Sequence, residues 1–218
     1  MSRMSRTGER LQVIFDLLLD RFGPQGWWPG DTPLEIAVGA VLTQNTSWRN
    51  VERAIANLTD AGLLSLPRLL DLPVGLLAEY IRPAGYHNLK AARLRNLLNL
   101  VADQYGGSLE ALFDQSAESL REELLGVKGI GPETADAISL YAAGKPVFVA
   151  DAYTHRILSR HGIIDEDCDY ACMRALFMDN LPEDAAMFGE YHALIVRVGK
   201  EFCGKTKMRC EGCPLREV

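Results

Sequence analysis

The chain reads as an all-α protein, and three features say so. No run alternates apolar and polar residues long enough to found a sheet, and Val147-Phe148-Val149 is too short to do so. Apolar residues recur instead at helical spacing through most of the 218 positions. Glycine and proline interrupt those runs where short helices would meet in tight turns.

Taken in order, Leu11, Ile14, Phe15, Leu17 to Leu19 and Phe22 predict an amphipathic helix that stops before Gly23-Pro24. A polar turn follows with Gly26-Trp27-Trp28-Pro29-Gly30-Asp31. Pro33 to Thr43 is apolar enough for a buried helix, Gln44-Asn45-Thr46 breaks it, and another helix spans Trp48 to Ala61. Proline separates two short helical pieces, Leu66 to Leu72 and Pro73 to Tyr80. A turn at Ile81 to Tyr86 then opens a long helix, Asn88 to Tyr105, with leucines and alanines on one stripe. Leu109 to Phe113 and Ala117 to Leu125 come next. After Asp151 the spacing predicts helices over Tyr153 to His161, Tyr170 to Asn180 and Pro182 to Val198, the first two separated by an acidic loop.

A composition of 48% hydrophobic and 24% charged residues suffices for a core in one domain or two small ones. Met1 to Arg10 is polar and basic, and Asp16 interrupts the apolar run after it, so neither a signal peptide nor a membrane span fits and the cytoplasm is the default. The formal net charge of −6 argues against a protein that coats DNA nonspecifically, because phosphate neutralisation supplies most of that affinity. Any DNA contact needs basic residues gathered locally; Arg82, Lys90, Arg93 and Arg95 form one candidate group, and Lys200, Lys205, Lys207 and Arg209 another. Five cysteines in such a chain suggest metal ligands or core thiols before disulfides. Cys168 and Cys172, four apart on one helical face, read as small buried residues.

The stretch from Leu124 to Asp151 organises the rest. Gly129-Ile130-Gly131-Pro132-Glu133-Thr134-Ala135 places two glycines and a proline before an alanine-rich helical run, so a tight turn opens a helix whose N–H groups suit an anion. The preceding Leu120 to Leu125 is charged and helix-forming, which makes the element a helix-hairpin-helix and not a nucleotide-binding strand-turn-helix.

This GxGxxTA pattern, followed by Val147-Phe148-Val149-Ala150-Asp151 and then Arg156, resembles the helix-hairpin-helix DNA glycosylases of the endonuclease III superfamily, and most of all the bacterial 3-methyladenine DNA glycosylase III type. The resemblance runs from about Phe22 to the C-terminal cysteines. It implies two helical lobes with a cleft between them, one of residues 22–145 and one of 1–21 with 146–218, and a monomer acting on double-stranded DNA with a damaged base.

It also implies roles. Asp151 would be the catalytic carboxylate that stabilises an oxocarbenium-like sugar and orients water; an aspartate after an apolar run is ordinarily a helix N-cap, and a capping position would fix that carboxylate. Glu133 stands where strand-cutting relatives keep a Schiff-base lysine, so the implied enzyme is monofunctional unless Lys128 or Lys200 supplies the amine. Trp27, Trp28, Pro29 and Trp48, with Glu133 and Lys200, would wall the base pocket. Flipping a base costs a few kcal/mol, and stacking returns about 1–3 kcal/mol. Gln44, Asn45, Gly129, Gly131 and Thr134 would contact DNA.

The tail, Cys203-x6-Cys210-x2-Cys213, matches three of the four ligand positions of the family's [4Fe–4S] loop, and the fourth would be residue 219. Zinc is the second candidate. The expectation is therefore a monofunctional glycosylase for a damaged base, an alkylated purine first. A bifunctional endonuclease III-like glycosylase/lyase for damaged pyrimidines and a non-catalytic DNA-binding protein on the same scaffold are the alternatives.

Overall fold

The computed structural model describes residues 5–218; the first four residues of the basic N-terminal stretch lie outside the described residues. Among the described residues it is helical throughout, with no strand and a single isolated β-bridge between Cys203 and Met208. No described helix is long and apolar enough to cross a membrane. The chain divides into two compact units, one holding Trp28–Lys145 and the other Met1–Trp27 with Pro146–Val218.

The first of these units opens with α2 (Pro33–Thr43), where Thr32 caps the start and Pro33 takes the first helical position. Then come α3 (Trp48–Asp60), α4 (Leu66–Asp71), α5 (Val74–Tyr80), a 3₁₀ turn at Arg82–Ala84 and α6 (His87–Tyr105). Short α7 (Leu109–Phe113) and α8 (Ala117–Gly126) lead to α9 (Pro132–Ala137). α9 runs on into a π-helical turn over Ile138–Ala142 that the sequence reading did not anticipate. Val38, Val41, Leu42, Val51, Leu58, Leu94 and Ile138 fill its core, each fully buried.

That core also takes a charge. Lys90 on α6 is 1% exposed and donates to the carbonyls of Leu42 (2.9 Å) and Ala84 (2.7 Å). Burial, helped by the Arg93 charge, pulls its pKa down to about 8. The proposed basic group around it is accordingly not a phosphate patch. Arg95 donates to the carbonyls of Leu70 and Leu72, Arg93 is bound to Gln44, and Arg82 pairs with Glu79 at 2.7 Å. These cations satisfy backbone and side-chain acceptors of their own unit.

In the other unit, α1 (Arg6–Phe22) lies against α12 (Ala185–Glu201): Tyr191 donates its hydroxyl to the Leu11 carbonyl at 2.8 Å, and Phe15 meets its ring edge-on at 5.2 Å. Phe148 and Phe177 stack at 3.6 Å beside Phe188 and Tyr191, joining the Val147–Ala150 segment to α11 (Tyr170–Met178) and α12. The Gln25 N–H donates to Glu190 at 2.6 Å, which keeps the segment after Phe22 on this unit as far as Trp27. α10 (Ala152–Arg160) packs on α12. Cys168 and Cys172 are joined in a disulfide, contrary to the reading as separate buried thiols. Cys168 precedes α11 in the loop while Cys172 lies in its first turn, so they do not share a helical face; Cys168 bends back onto the helix start.

Candidate active site

Asp151 is the N-cap of α10, and its two carboxylate oxygens have different surroundings. Oδ1 accepts from the N–H groups of Tyr153 (2.9 Å) and Thr154 (2.8 Å) and from the Thr154 hydroxyl (3.1 Å). The Thr154 hydroxyl also accepts from the Asp151 N–H at 3.2 Å, closing a capping box with threonine in the third position. Thr154 is fully buried, so the arrangement is shielded from water. Oδ2 faces His192 on α12, whose Nε2 lies 3.7 Å away. Burial pushes the Asp151 pKa up, and the His192 imidazole together with the Thr154 donors outweighs it, leaving the carboxyl below its ordinary value. The group is ionised at neutral pH.

Further residues on and around α12 surround Asp151 within this unit. The Trp27 ring meets His192 edge-on at 5.7 Å, and the exposed Lys200 ammonium stands 5.8 Å from the same indole's centroid, within cation–π range. A Cβ on Gly199 would fall 2.3 Å from Tyr153 Cδ1, so only glycine lets α12 accept that ring and keep the start of α10 where it is. The Arg156 guanidinium lies over the Tyr153 ring at 4.7 Å and donates to the Cys203 carbonyl at 2.7 Å. Sequence reading missed His192, Thr154 and Gly199. His192 lies seven and eight residues before Gly199 and Lys200 on one helix, a spacing that puts all three on one face and could have found it.

In the Trp28–Lys145 unit, the hairpin between α8 and α9 is held from behind. Gly129 has φ +100°, and a Cβ there would sit 2.3 Å from Arg93 Cγ, so glycine at this position makes room for Arg93 and not for a ligand. Arg93 is bonded to the Gln44 side-chain oxygen, and the Gln44 amide donates to the Gly129 carbonyl (3.2 Å) and the Thr134 hydroxyl (3.0 Å). Gln44 and the buried Thr134 side chain thus brace the turn. Arg121 and the fully buried Asp136 carboxylate, 2.8 Å apart, tie α8 to α9. Gly131 is different: it is exposed, has no atoms within 4 Å of where a Cβ would be, and caps α9 without any side-chain bond. The exposed Glu133 lies in the first turn of α9. Asn45 is exposed with φ +54°, at the tip of the turn after α2.

The aromatic residues of this unit form a group beside that hairpin's helix. Trp28 meets Trp48 edge-on at 5.2 Å and the Tyr141 ring at 5.0 Å, where Tyr141 belongs to the π-helical turn. Both indoles rest on Gly39 of α2, where a Cβ would come 3.2 Å from Trp28 Nε1 and 3.6 Å from Trp48 Cη2. Both remain half-exposed, and Pro29 is exposed.

Cys203, Cys210 and Cys213 are free thiols lining one cavity of about 120 Å³ with Arg160 and His161. Arg160 donates to the Cys203 sulfur at 3.1 Å and to the carbonyls of Gly204 and Lys205. Burial raises the Cys213 pKa, and the charges of Cys203 and Cys210 add to the rise, so the three sulfurs sense one another. Among the described residues, no group of three or more His, Cys, Asp or Glu is gathered closely enough to hold a metal ion, so the expected cluster and the zinc alternative alike lack an assembled ligand set here.

Residues 38–183 match the family model described as HhH-GPD superfamily base excision DNA repair protein. A Methanocaldococcus jannaschii protein named as a candidate DNA repair glycosylase is 48% identical over 210 residues, covering 96% of this chain and 95% of that one. The crystal structure of H. pylori 3-methyladenine DNA glycosylase bound to 1,N6-ethenoadenine superposes with TM-score 0.75 at 32% identity, over 89% of this chain and 97% of that one. A trapped endonuclease III–DNA covalent intermediate, 21% identical, shares the fold with TM-score 0.82 over 97% of this chain and 94% of its own.

Proposed function

From the premise that this chain belongs to the HhH-GPD superfamily of base excision DNA repair proteins and is a DNA N-glycosylase, we propose that it removes an alkylated purine by hydrolysis and leaves the strand uncut. The observation that carries the reading is the state of Asp151: ionised, one oxygen locked in a capping box, the other turned away from the cap. A fixed carboxylate of this kind stabilises positive charge as it develops on the sugar and orients water toward the anomeric carbon, with no reorganisation at the moment of bond breaking. Glu133 supports the hydrolytic assignment, because a carboxylate cannot form the imine that precedes strand scission.

The remaining roles follow the same reading. Trp28, Pro29 and Trp48 offer flat surfaces to an extruded base, with Glu133 nearby in sequence on α9; Trp27 offers another against His192, with the Lys200 ammonium at its ring. An electron-rich indole favours a cationic alkylated ring. Support for that class comes from the 32% identical relative, whose structure holds an ethenoadenine. The exposed N-terminus of α9 at Gly131 takes a DNA phosphate, with the Gly129 turn and Thr134 shaping it, and Asn45 enters the space vacated by the base while Gln44 holds the turn. Cys203, Cys210 and Cys213 would hold the [4Fe–4S] cluster, which when bound would tie the tail loop to the end of α10; anaerobic reconstitution followed by iron and sulfide analysis tests it.

The functional test uses duplexes that each carry one lesion, incubated with and without subsequent alkali. Base release from an alkylated purine, with breaks only after alkali, is the expected result. Strand breaks without alkali, or an adduct trapped by borohydride, would assign Lys200 or Lys128 as the amine of a bifunctional enzyme. Duplex binding with no release from any lesion would identify a binding protein.

A further inference from the structure

The outward oxygen of Asp151 has one close polar neighbour given by the geometry, the imidazole of His192. That side chain is 6% exposed, reaches from α12 to within 3.7 Å of Oδ2, and is clamped edge-on by Trp27. Oδ1 already takes three donors, so Oδ2 is the oxygen left to meet positive charge on a substrate. A buried imidazole nitrogen facing a carboxylate must carry its proton there, since two acceptors would repel without water between them.

We propose that His192 is a positioning residue for base excision, holding the Asp151 carboxylate in its working rotamer by presenting Nε2–H to Oδ2. The inference rests on the reading of Asp151 as the catalytic carboxylate. The 3.7 Å separation exceeds that of a normal hydrogen bond, which suits the task. A full hydrogen bond would draw charge from the oxygen that must face the sugar, whereas an approach at this range steadies the anion and leaves its lone pairs available. The imidazole beside Oδ2 offsets the burial that otherwise favours a neutral carboxyl. The charged groups on the elements around His192 are Asp151 at the start of α10, Lys200 further along α12 at the Trp27 ring, Arg156 on the Tyr153 ring, and Glu190, which accepts the Gln25 N–H.

The experiment is single-turnover base release from one lesion duplex across the acidic limb of the pH profile, for wild type, His192→Leu, His192→Gln and Asp151→Asn. With leucine the acidic limb moves to higher pH by about one unit, a roughly tenfold loss at a fixed pH on that limb, and the rate stays below wild type even where the carboxylate is ionised in both, because its rotamer is no longer held. Glutamine keeps a donor and moves the limb less. A leucine variant whose acidic limb stays in the wild-type place overturns the proposal, whatever its plateau rate. Should Asp151→Asn keep releasing base, the catalytic reading itself fails; if it abolishes release while the leucine limb stays put, only the role of His192 falls. If the leucine variant does not fold, the ¹⁵N signal of His192 in the wild-type protein decides: a proton held on Nε2 through neutral pH supports the role, and a bare Nε2 overturns it.

Discussion

Two helices begin on either side of the Ile138–Ala150 stretch, and they treat the same electrostatic problem in opposite ways. Every helix N-terminus presents N–H groups without intrahelical partners and a positive dipole end. α9 starts at Gly131 with no side-chain cap and open space in front of it, so its field is left for a ligand. α10 starts at Asp151 and supplies its own anion, closed into a capping box by Thr154. An uncapped terminus leaves its N–H groups open, whereas a self-capped one fills them and gains a rigid carboxylate instead. On the proposed function, one backbone geometry would serve binding in one unit and chemistry in the other.

The comparison breaks most severely at Gly129. A Cβ at φ +100° with Arg93 Cγ 2.3 Å away combines backbone strain and overpacking, so Gly129→Ala should cost about 3 kcal/mol in a denaturant melt and weaken duplex binding with it. A neutral substitution would mean that Arg93 does not set the hairpin. Thr154→Val comes next. It removes both hydroxyl bonds of the capping box and should lower stability by about 1–2 kcal/mol, with base release slowed further because the carboxylate loses one of its three Oδ1 donors.

Lys90 tests the support one helical turn before Arg93. Its folded-state pKa of about 8 lies below the usual 10.5, so the unfolded chain binds more protons between those values. Stability attributable to this lysine therefore rises with pH from about 8 toward 10.5, and the burial cost is fully present below 8. The difference between wild type and Lys90→Met in melts taken across that span should shrink or change steadily with pH; a constant difference would contradict a buried, titrating amine. The smallest effect on the fold is predicted at Gly131→Ala. With φ −96° and no neighbour within 4 Å, the added methyl should alter stability by less than about 0.5 kcal/mol. Duplex affinity should nonetheless fall, because the methyl lies before the open N–H groups.

Much of the fold was legible because its punctuation is local. Ser and Thr caps, Pro33 and Pro132 at first helical positions, and Gly23 and Gly106 at helix ends mark boundaries that neighbouring residues decide. The hairpin and the N-cap position of Asp151 were legible through motif spacing and the apolar run before it. What stayed hidden depends on distant partners. Lys90 sits on a helix between Ala and Leu positions and looks like part of a basic face until Leu42 and Ala84 offer it carbonyls. The need for glycine at 129 is set by Arg93, far off in sequence, and the π-helical turn carries no composition of its own. His192 reads as one more polar residue until α10 brings Asp151 against it.

The most direct test compares Asp151→Asn with wild type on the same lesion duplex, measuring binding and single-turnover base release together. Asparagine is itself a good N-cap and nearly isosteric, so the fold and duplex affinity should hold while release falls by about 100- to 1,000-fold, the scale of losing a preorganised charge partner. Release at the wild-type rate from a folded, DNA-binding Asp151→Asn protein would contradict the assignment of this carboxylate to the chemistry.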